Sequence, residues 1–363
     1  MIKSLSVINF TAFSSAELEF GQNLNVFVGE NGTGKTHLLK LAYALLAVEA
    51  QGRRDSGEEK PSETYLKGAV ARKLVRVFRP DQLGGLVRRS KPCEGAKNGV
   101  GAHAVPPAQF ELRHEKKELG LSFELSVESS AEVSVSKVPA LWLDKAPAFF
   151  PTRELLSIYP GFVSLYETTE LPFEETWRDT CVLLGAPVKR GTMEKKLQRL
   201  LAPLEAVMGG RVELDQTGRF YLVTDRSRRE MPLVAEGLRK LGMLARLIST
   251  GALSDQACLF WDEPETNLNS KLIKDIARAV VELGQHGVQV FVATHSLFFL
   301  RELEIILSER KMSTFDTRFF GLQAADGGVS ILQGPTFEDI GDIAALSEEL
   351  EQSDRFMATE GRS

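Results

Sequence analysis

A chain of 363 residues with 43% hydrophobic side chains carries enough apolar surface for a large core, in one big domain or two modest ones. Its formal net charge of -5 excludes a bulk polyanion binder and leaves room only for a local basic patch. Cys93, Cys181 and Cys258 lie far apart with no C-x-x-C spacing, which excludes a disulfide framework or cysteine zinc site; without a signal-type or membrane-length apolar run, a cytoplasmic location with no membrane partner is expected.

In chain order, the first predicted elements are strands. Leu5, Val7 and Phe10, then Leu18 and Phe20, then the run Leu24 to Val28 after the turn Gly21-Gln22-Asn23 read as an antiparallel β-meander. A glycine-rich turn follows, and a helix is expected from Thr36 with Leu38, Leu39, Ala42 and Leu45 as its apolar stripe. Residues 51–63 contain no strongly apolar side chain and read as an exposed linker. Residues 64–89 fit amphipathic helices or short strands, and the glycine- and proline-rich stretch 91–107 reads as loop.

Alternation resumes around Phe110 to Leu112, Leu121 to Val127 and Val133 to Val138, giving an expected antiparallel set. Phe149 and Phe150 read as a strand that ends at Arg153 and Glu154, and 174–208 as mainly helical. A hairpin is expected over 211–224, turning at Gln216-Thr217-Gly218. The last third alternates: a helix near 234–250, a strand from Ala257 to Trp261, and a helix with Ile273, Ile276, Ala277, Val280 and Val281 on one face. A strand from Val288 to Ala293 follows, with a hairpin turning at Asp326-Gly327-Gly328 and an acid-rich tail holding a short helix.

Three stretches carry chemistry. Gly29-Glu30-Asn31-Gly32-Thr33-Gly34-Lys35-Thr36 matches G-x-x-x-x-G-K-T between a predicted strand and a predicted helix. Glycines permit the positive φ that turns successive N–H groups into one concavity, and the helix N-terminus adds partial positive charge. Lys35 is then expected to reach the β- and γ-phosphates of a bound nucleotide, and the Thr36 hydroxyl to ligate Mg²⁺. The second stretch, Leu259 to Asn269, ends a buried strand in two adjacent carboxylates. Asp262 is expected to hold the metal through its water shell, and Glu263 to orient or deprotonate the attacking water. In the third, a strand ends in Thr294-His295-Ser296, where His295 can hydrogen-bond the γ-phosphate or that water.

With these three in order, the chain resembles the ABC-like ATPases of the SMC, RecF and OLD branch, often called AAA-family ATP-binding proteins. The resemblance covers residues 1–50 and roughly 145–335. It implies an α/β fold: an ABC-type P-loop ATPase with an N-terminal antiparallel β-meander, a mainly parallel core sheet and a helical insertion. On this reading 1–50 and 211–335 form the core, 51–210 the insertion and 336–363 an acidic tail. Lys35 and Thr36 match the Walker A residues, Asp262 and Glu263 the Walker B pair, and His295 the switch histidine.

Asn267 and Leu268 fall where the family's D-loop crosses to a partner subunit, and Val234 to Lys240 where its signature helix begins. There Ala235 replaces the usual serine, leaving Gly237 and the helix-start N–H groups, with Lys240 or Arg239 adding charge. Arg153 and Glu154 either touch the nucleotide or form a structural ion pair.

The resemblance further implies a homodimer or higher homo-oligomer clamping Mg-ATP between copies. Its effector is then a separately encoded nuclease or toxin, as in bacterial anti-phage defence. A RecF-like DNA-binding repair ATPase is the alternative, supported by Lys67, Arg72, Lys73, Arg76, Arg79, Arg88, Arg89, Lys91 and Lys97 against only Asp81 and Glu94. That stripe equally fits a solvated helix face or a dock for an acidic partner. A transporter nucleotide-binding subunit is a third reading.

Overall fold

The computed structural model describes residues 1–89, 105–309, 314–341 and 344–360; Lys91, Cys93, Glu94 and Lys97 lie outside them. Among the described residues three sheets form. The hairpin of β1 (Ile2–Phe10) and β2 (Phe13–Glu19) is as expected from the alternation, but the third strand of the meander leaves it. β3 (Leu24–Gly29) is buried at every position, and a strand apolar on both faces needs cover on both sides. The antiparallel sheet is completed by β4 (Ala108–His114), β5 (Gly120–Leu125) and β6 (Ser134–Lys137) in the order β2-β1-β4-β5-β6.

β3 instead enters a six-stranded sheet with β7 (Ala148–Phe150), β11 (Cys258–Asp262), β12 (Gln289–Thr294), β13 (Thr317–Ala325) and β14 (Gly328–Gly334). The order is β14-β13-β3-β12-β11-β7, parallel throughout except for the β13–β14 hairpin. Period-two alternation sends each strand's side chains to two separate cores. Leu24, Val26, Val28, Leu259, Trp261, Val290 and Val292 face one core; Phe27, Phe260, Phe291 and Ala293 face the other. The second core is shared with the antiparallel sheet and with α1 (Lys35–Ser56). Gln289 staples the two sheets, accepting from Ile2 N at 2.9 Å and donating to Ile2 O at 2.8 Å and Gly21 O at 2.9 Å.

The expected linker 51–63 is half helix. α1 runs on to Ser56 because Trp142 covers Gly52, where a Cβ would lie 2.1 Å from the indole ring, and the helix stops at Gly57 in the left-handed region (φ 72°). Ser62 caps α2 (Glu63–Phe78), accepting from Tyr65 N, which settles 63–78 as helix. α1 and α2 are pinned to α4 (Glu175–Gly185) by a buried cluster. Lys73 Nζ lies 2.5 Å from Asp179 Oδ2, and the Tyr43 hydroxyl donates to the same oxygen at 2.7 Å.

Before α4 comes α3 (Phe162–Thr168), and after it α5 (Thr192–Met208). The expected hairpin appears as β8 (Arg211–Leu214) and β9 (Phe220–Val223), with a third strand β10 (Arg228–Glu230) that the pattern did not announce. α6 (Glu236–Ser249), α7 (Ser270–Gln285) and α8 (Leu297–Glu309) cover the first core, and α9 (Ala344–Glu360) occupies the acidic tail. Residues 51–210, read as an insertion, thus supply strands to both large sheets. No helix among the described residues is long and apolar enough to cross a membrane.

Candidate functional site

The site sits at the C-terminal ends of the parallel strands β3, β11 and β12, the edge where open α/β sheets gather ligands. β3 ends at Gly29, and the loop to α1 turns through Gly32 (φ 83°) and Gly34 (φ 88°), left-handed conformations that favour glycine. Gly34 is required on packing grounds too, since a Cβ there would lie 2.7 Å from the Phe13 ring. Asn31 and Gly32 are exposed at the loop tip, and the Thr33 hydroxyl donates to Glu30 O at 2.8 Å, closing the loop on itself.

Lys35 opens α1, and its ammonium lies back across the loop, donating to Gly29 O at 2.7 Å and Glu30 O at 2.9 Å. Burial pushes its pKa down, against the pull of Glu263, Asp262, Glu265 and Glu30, so the ammonium sits among carboxylates.

Thr36 and Asp262, 226 residues apart in sequence, meet directly. The Thr36 hydroxyl lies 3.1 Å from Asp262 Oδ1 and 3.0 Å from Oδ2. Burial at the end of β11 pushes the Asp262 carboxyl up to about 6, although the Thr36 hydrogen bond pulls the other way. A hydroxyl and a carboxylate converging at one point are the hard oxygen donors Mg²⁺ takes, with phosphate oxygens and water completing its shell, so the residues fit that ion. No group of three or more His, Cys, Asp or Glu that could hold a metal alone occurs among the described residues.

One residue on, Glu263 leaves the strand direction through a left-handed backbone (φ 48°), its N–H donating to Ala293 O of β12 at 2.9 Å. Its carboxylate accepts from the Thr266 hydroxyl at Oε2 (3.1 Å), while His295 Nδ1 lies 3.3 Å from Oε1 without a hydrogen bond between them. Both Glu263 and His295 keep a solvent-facing part, so a water can lie against them. Glu265, two residues further, is buried and raised above the usual carboxylate range by that burial. It accepts from the Thr294 hydroxyl at 2.6 Å and from His295 N at 3.4 Å, tying the acidic turn to the end of β12.

Gly237 and Asn267 form a second group beside this one. Asn267, left-handed at φ 62°, donates through Nδ2 to Glu236 Oε1 at 3.1 Å, so the turn after β11 is tied to the first residue of α6. Gly237 lies under the turn and α7, where a Cβ would be 2.5 Å from Leu272 Cδ1 and 2.9 Å from Leu268 Cδ2. Asn269 caps α7, its Oδ1 accepting from Leu272 N at 3.0 Å.

The two cations expected to add charge at the start of α6 are turned elsewhere. Lys240 is fully buried and donates to Thr266 O at 2.6 Å, whereas Arg239 pairs with Glu154 Oε1 at 2.7 Å and donates to Val234 O at 2.8 Å. Glu154 therefore forms its ion pair with Arg239 and not with Arg153, which stays exposed just after β7. The basic stripe from Lys67 is likewise dispersed. Lys73 is buried, Lys67 pairs with Glu63, Arg76 with Glu175, Arg79 donates to Leu171 O and Phe173 O, and Arg88 donates to Gly327 O.

Sequence reasoning passed over Thr266, and it took Lys240 as added charge for the nucleotide where the structure makes it a buried tie to the turn after β11. The available signal was a lysine at position 240, one turn after Glu236 and beside the apolar run from Leu241.

A profile of the family described as "AAA domain, putative AbiEii toxin, Type IV TA system" matches residues 99–301, more than half of the chain, and one described as "AAA ATPase domain" matches residues 1–100. The DNA replication and repair protein RecF of Clostridium kluyveri is 30% identical over 93 residues, 23% of this chain and 25% of that protein. RecF of Phocaeicola vulgatus is 37% identical over 65 residues, 16% of this chain and 18% of that protein. These matches span a quarter or less of the relatives' own length.

Among solved structures, an Smc head bound to the C-winged helix domain of ScpA overlays with a TM-score of 0.54 at 12% identity, over 93% of this chain and 98% of that one. An Smc head domain with an extended coiled coil, bound to the C-terminal domain of ScpA derived from Pyrococcus furiosus, gives 0.52 at 12% identity over 100% and 99%. At such identity the likeness is one of fold.

Proposed function

This chain belongs to the AAA-domain family matched over residues 99–301, within the SMC/RecF-like ABC ATPases, and from that premise we propose that it binds Mg-ATP between two copies of itself and hydrolyses it as a conformational switch. The observation that carries the reading is the meeting of Thr36 with Asp262 beside Lys35, with the Glu263–His295 pair on the next turn. Gly29, Asn31, Gly32, Thr33 and Gly34 present main-chain N–H groups to the triphosphate, and Lys35 exchanges its loop carbonyls for phosphate oxygens. Thr36 and Asp262 would hold Mg²⁺, which would offset negative charge on the bound phosphates. Glu263 orients the attacking water and takes its proton, while His295 holds that carboxylate and reads the γ-phosphate.

From the opposite copy, Gly237, the N–H groups of the first turn of α6, and Asn267 complete the cavity. Ala235 offers no hydroxyl there, and Lys240 and Arg239 are engaged within their own subunit. ATP then favours the closed pair and hydrolysis the open one.

Two variants test this. Lys35→Ala is expected to lose ATP binding by calorimetry, and Glu263→Gln to bind ATP while turning it over at least about a hundredfold more slowly. Normal affinity in the first or wild-type turnover in the second sinks the assignment.

For what is switched, the proposal is a separately encoded effector, a nuclease or toxin acting in anti-phage defence. The toxin and toxin–antitoxin system in the family's description support it. A second reading, a RecF-like DNA-binding repair ATPase, draws on the matches to RecF. Salt-sensitive binding of duplex DNA that Arg89→Glu weakens supports this second reading, and no binding at low salt removes it.

A further inference from the structure

A lysine with no solvent contact is an expensive way to hold two segments together, because an apolar side chain of similar size packs without losing a hydration shell. Lys240 is such a lysine, fully buried on α6 one turn after Glu236. Burial pushes its pKa down, and the carboxylates of Glu236, Glu265 and Glu263 work to keep it charged. Its ammonium donates to the main-chain oxygen of Thr266 at 2.6 Å. Thr266 is gripped at both ends, for its hydroxyl donates to Glu263 Oε2 at 3.1 Å. Asn267 ties the same turn to Glu236 at 3.1 Å, and Gly237 lets α6 approach Leu268 and Leu272 closely. The start of α6 and the acidic turn therefore form one laced unit, and Thr266 is the residue through which the lacing reaches Glu263.

We propose that Lys240 is a positioning residue for ATP hydrolysis, fixing the main chain at Thr266 so that the Thr266 hydroxyl holds the Glu263 carboxylate in its working orientation. This rests on the reading of Glu263 as the group that orients the attacking water. The first turn of α6 also meets the opposite copy's nucleotide in that reading, so a shift of α6 on closure passes through Lys240 and Thr266 to the carboxylate of its own subunit. Neither residue touches substrate; both act through Glu263.

Steady-state turnover and ATP affinity of Thr266→Val, Thr266→Ser, Lys240→Met, the Thr266→Val/Lys240→Met double variant and Glu263→Gln test it. Thr266→Val, which keeps shape and removes the hydroxyl, is expected to lower kcat about tenfold to a hundredfold with ATP affinity unchanged, and Thr266→Ser to restore it. Lys240→Met is expected to behave like Thr266→Val, with the double variant no slower than the slower single one.

Wild-type kcat in Thr266→Val overturns the proposal, as do losses that multiply in the double variant. If Lys240→Met does not fold, the Thr266→Val and Thr266→Ser pair decides alone, since both keep Lys240. Wild-type turnover in Glu263→Gln overturns the underlying reading and the proposal with it. A silent Thr266→Val beside an inactive Glu263→Gln overturns the proposal only.

Discussion

Asp262 shows what one functional side chain costs the fold. Its folded pKa, about 6 against an ordinary 3.8, means that between those values the folded chain holds a proton the unfolded chain has released. Stability therefore falls as pH rises through that window, and above about 6 the full penalty remains, on the order of 3 kcal/mol. Without nucleotide, Asp262→Asn should raise the thermal midpoint at pH 7.5, and its advantage should shrink to nothing near pH 4. A variant less stable than wild type at pH 7.5 would contradict this. Lys35, Thr36, Asp262, Glu263 and His295 were all legible in the sequence, because motif spacing and strand–loop–helix order restrict where such residues emerge. The burial of Lys240 was not, for it was read as added charge: a lysine near a helix start suits solvent equally well, and only the packing of α6 against the turn after β11 turns it inward.

Elements were legible where periodicity was strong and blurred where a neighbour from distant sequence decided. α1 continues to Ser56 because of Trp142, about ninety residues away, a contact that composition alone cannot announce. Gly29 shows the same dependence. A Cβ there would lie 2.5 Å from Leu322 O of β13, a main-chain atom with little freedom to yield. Gly29→Ala is expected to destabilise the nucleotide-free protein by about 1–3 kcal/mol, read as a lower denaturant midpoint; an unchanged midpoint would show that β3 and β13 part freely.

The buried cluster between α1, α2 and α4 gives a larger effect. Burial raises the Asp179 carboxyl, but Lys73, Tyr43 and Arg178 outweigh it and hold it below its ordinary value. Lys73→Ala strands that charge and is expected to cost about 3–5 kcal/mol in urea unfolding. A loss under about 1 kcal/mol, the scale of a surface pair, would return Lys73 to an exposed basic stripe.

At the scale of the molecule, the sequence conveyed the mainly parallel sheet and the antiparallel one but not how the chain distributes itself between them. β3 crosses to the parallel sheet, while β4 to β6, expected in an insertion, pair onto β1. β1 pairs with β4 about a hundred residues on and β3 with β12 and β13 still further along the chain (Leu24 with Val290 and Thr317), and local alternation carries no record of the partner. The same threading sets Lys35 and Thr36 from the start of the chain against Asp262, Glu263 and His295 from its last third, at one sheet edge.

The central claim is that this edge clamps a nucleotide between two copies. Sedimentation of Glu263→Gln, expected to bind ATP without hydrolysing it, with and without Mg-ATP tests it most directly. The account predicts a shift to the dimer, or to a doubled assembly, on adding Mg-ATP, and no shift when Lys35→Ala is combined with it. The same species with and without nucleotide would contradict it.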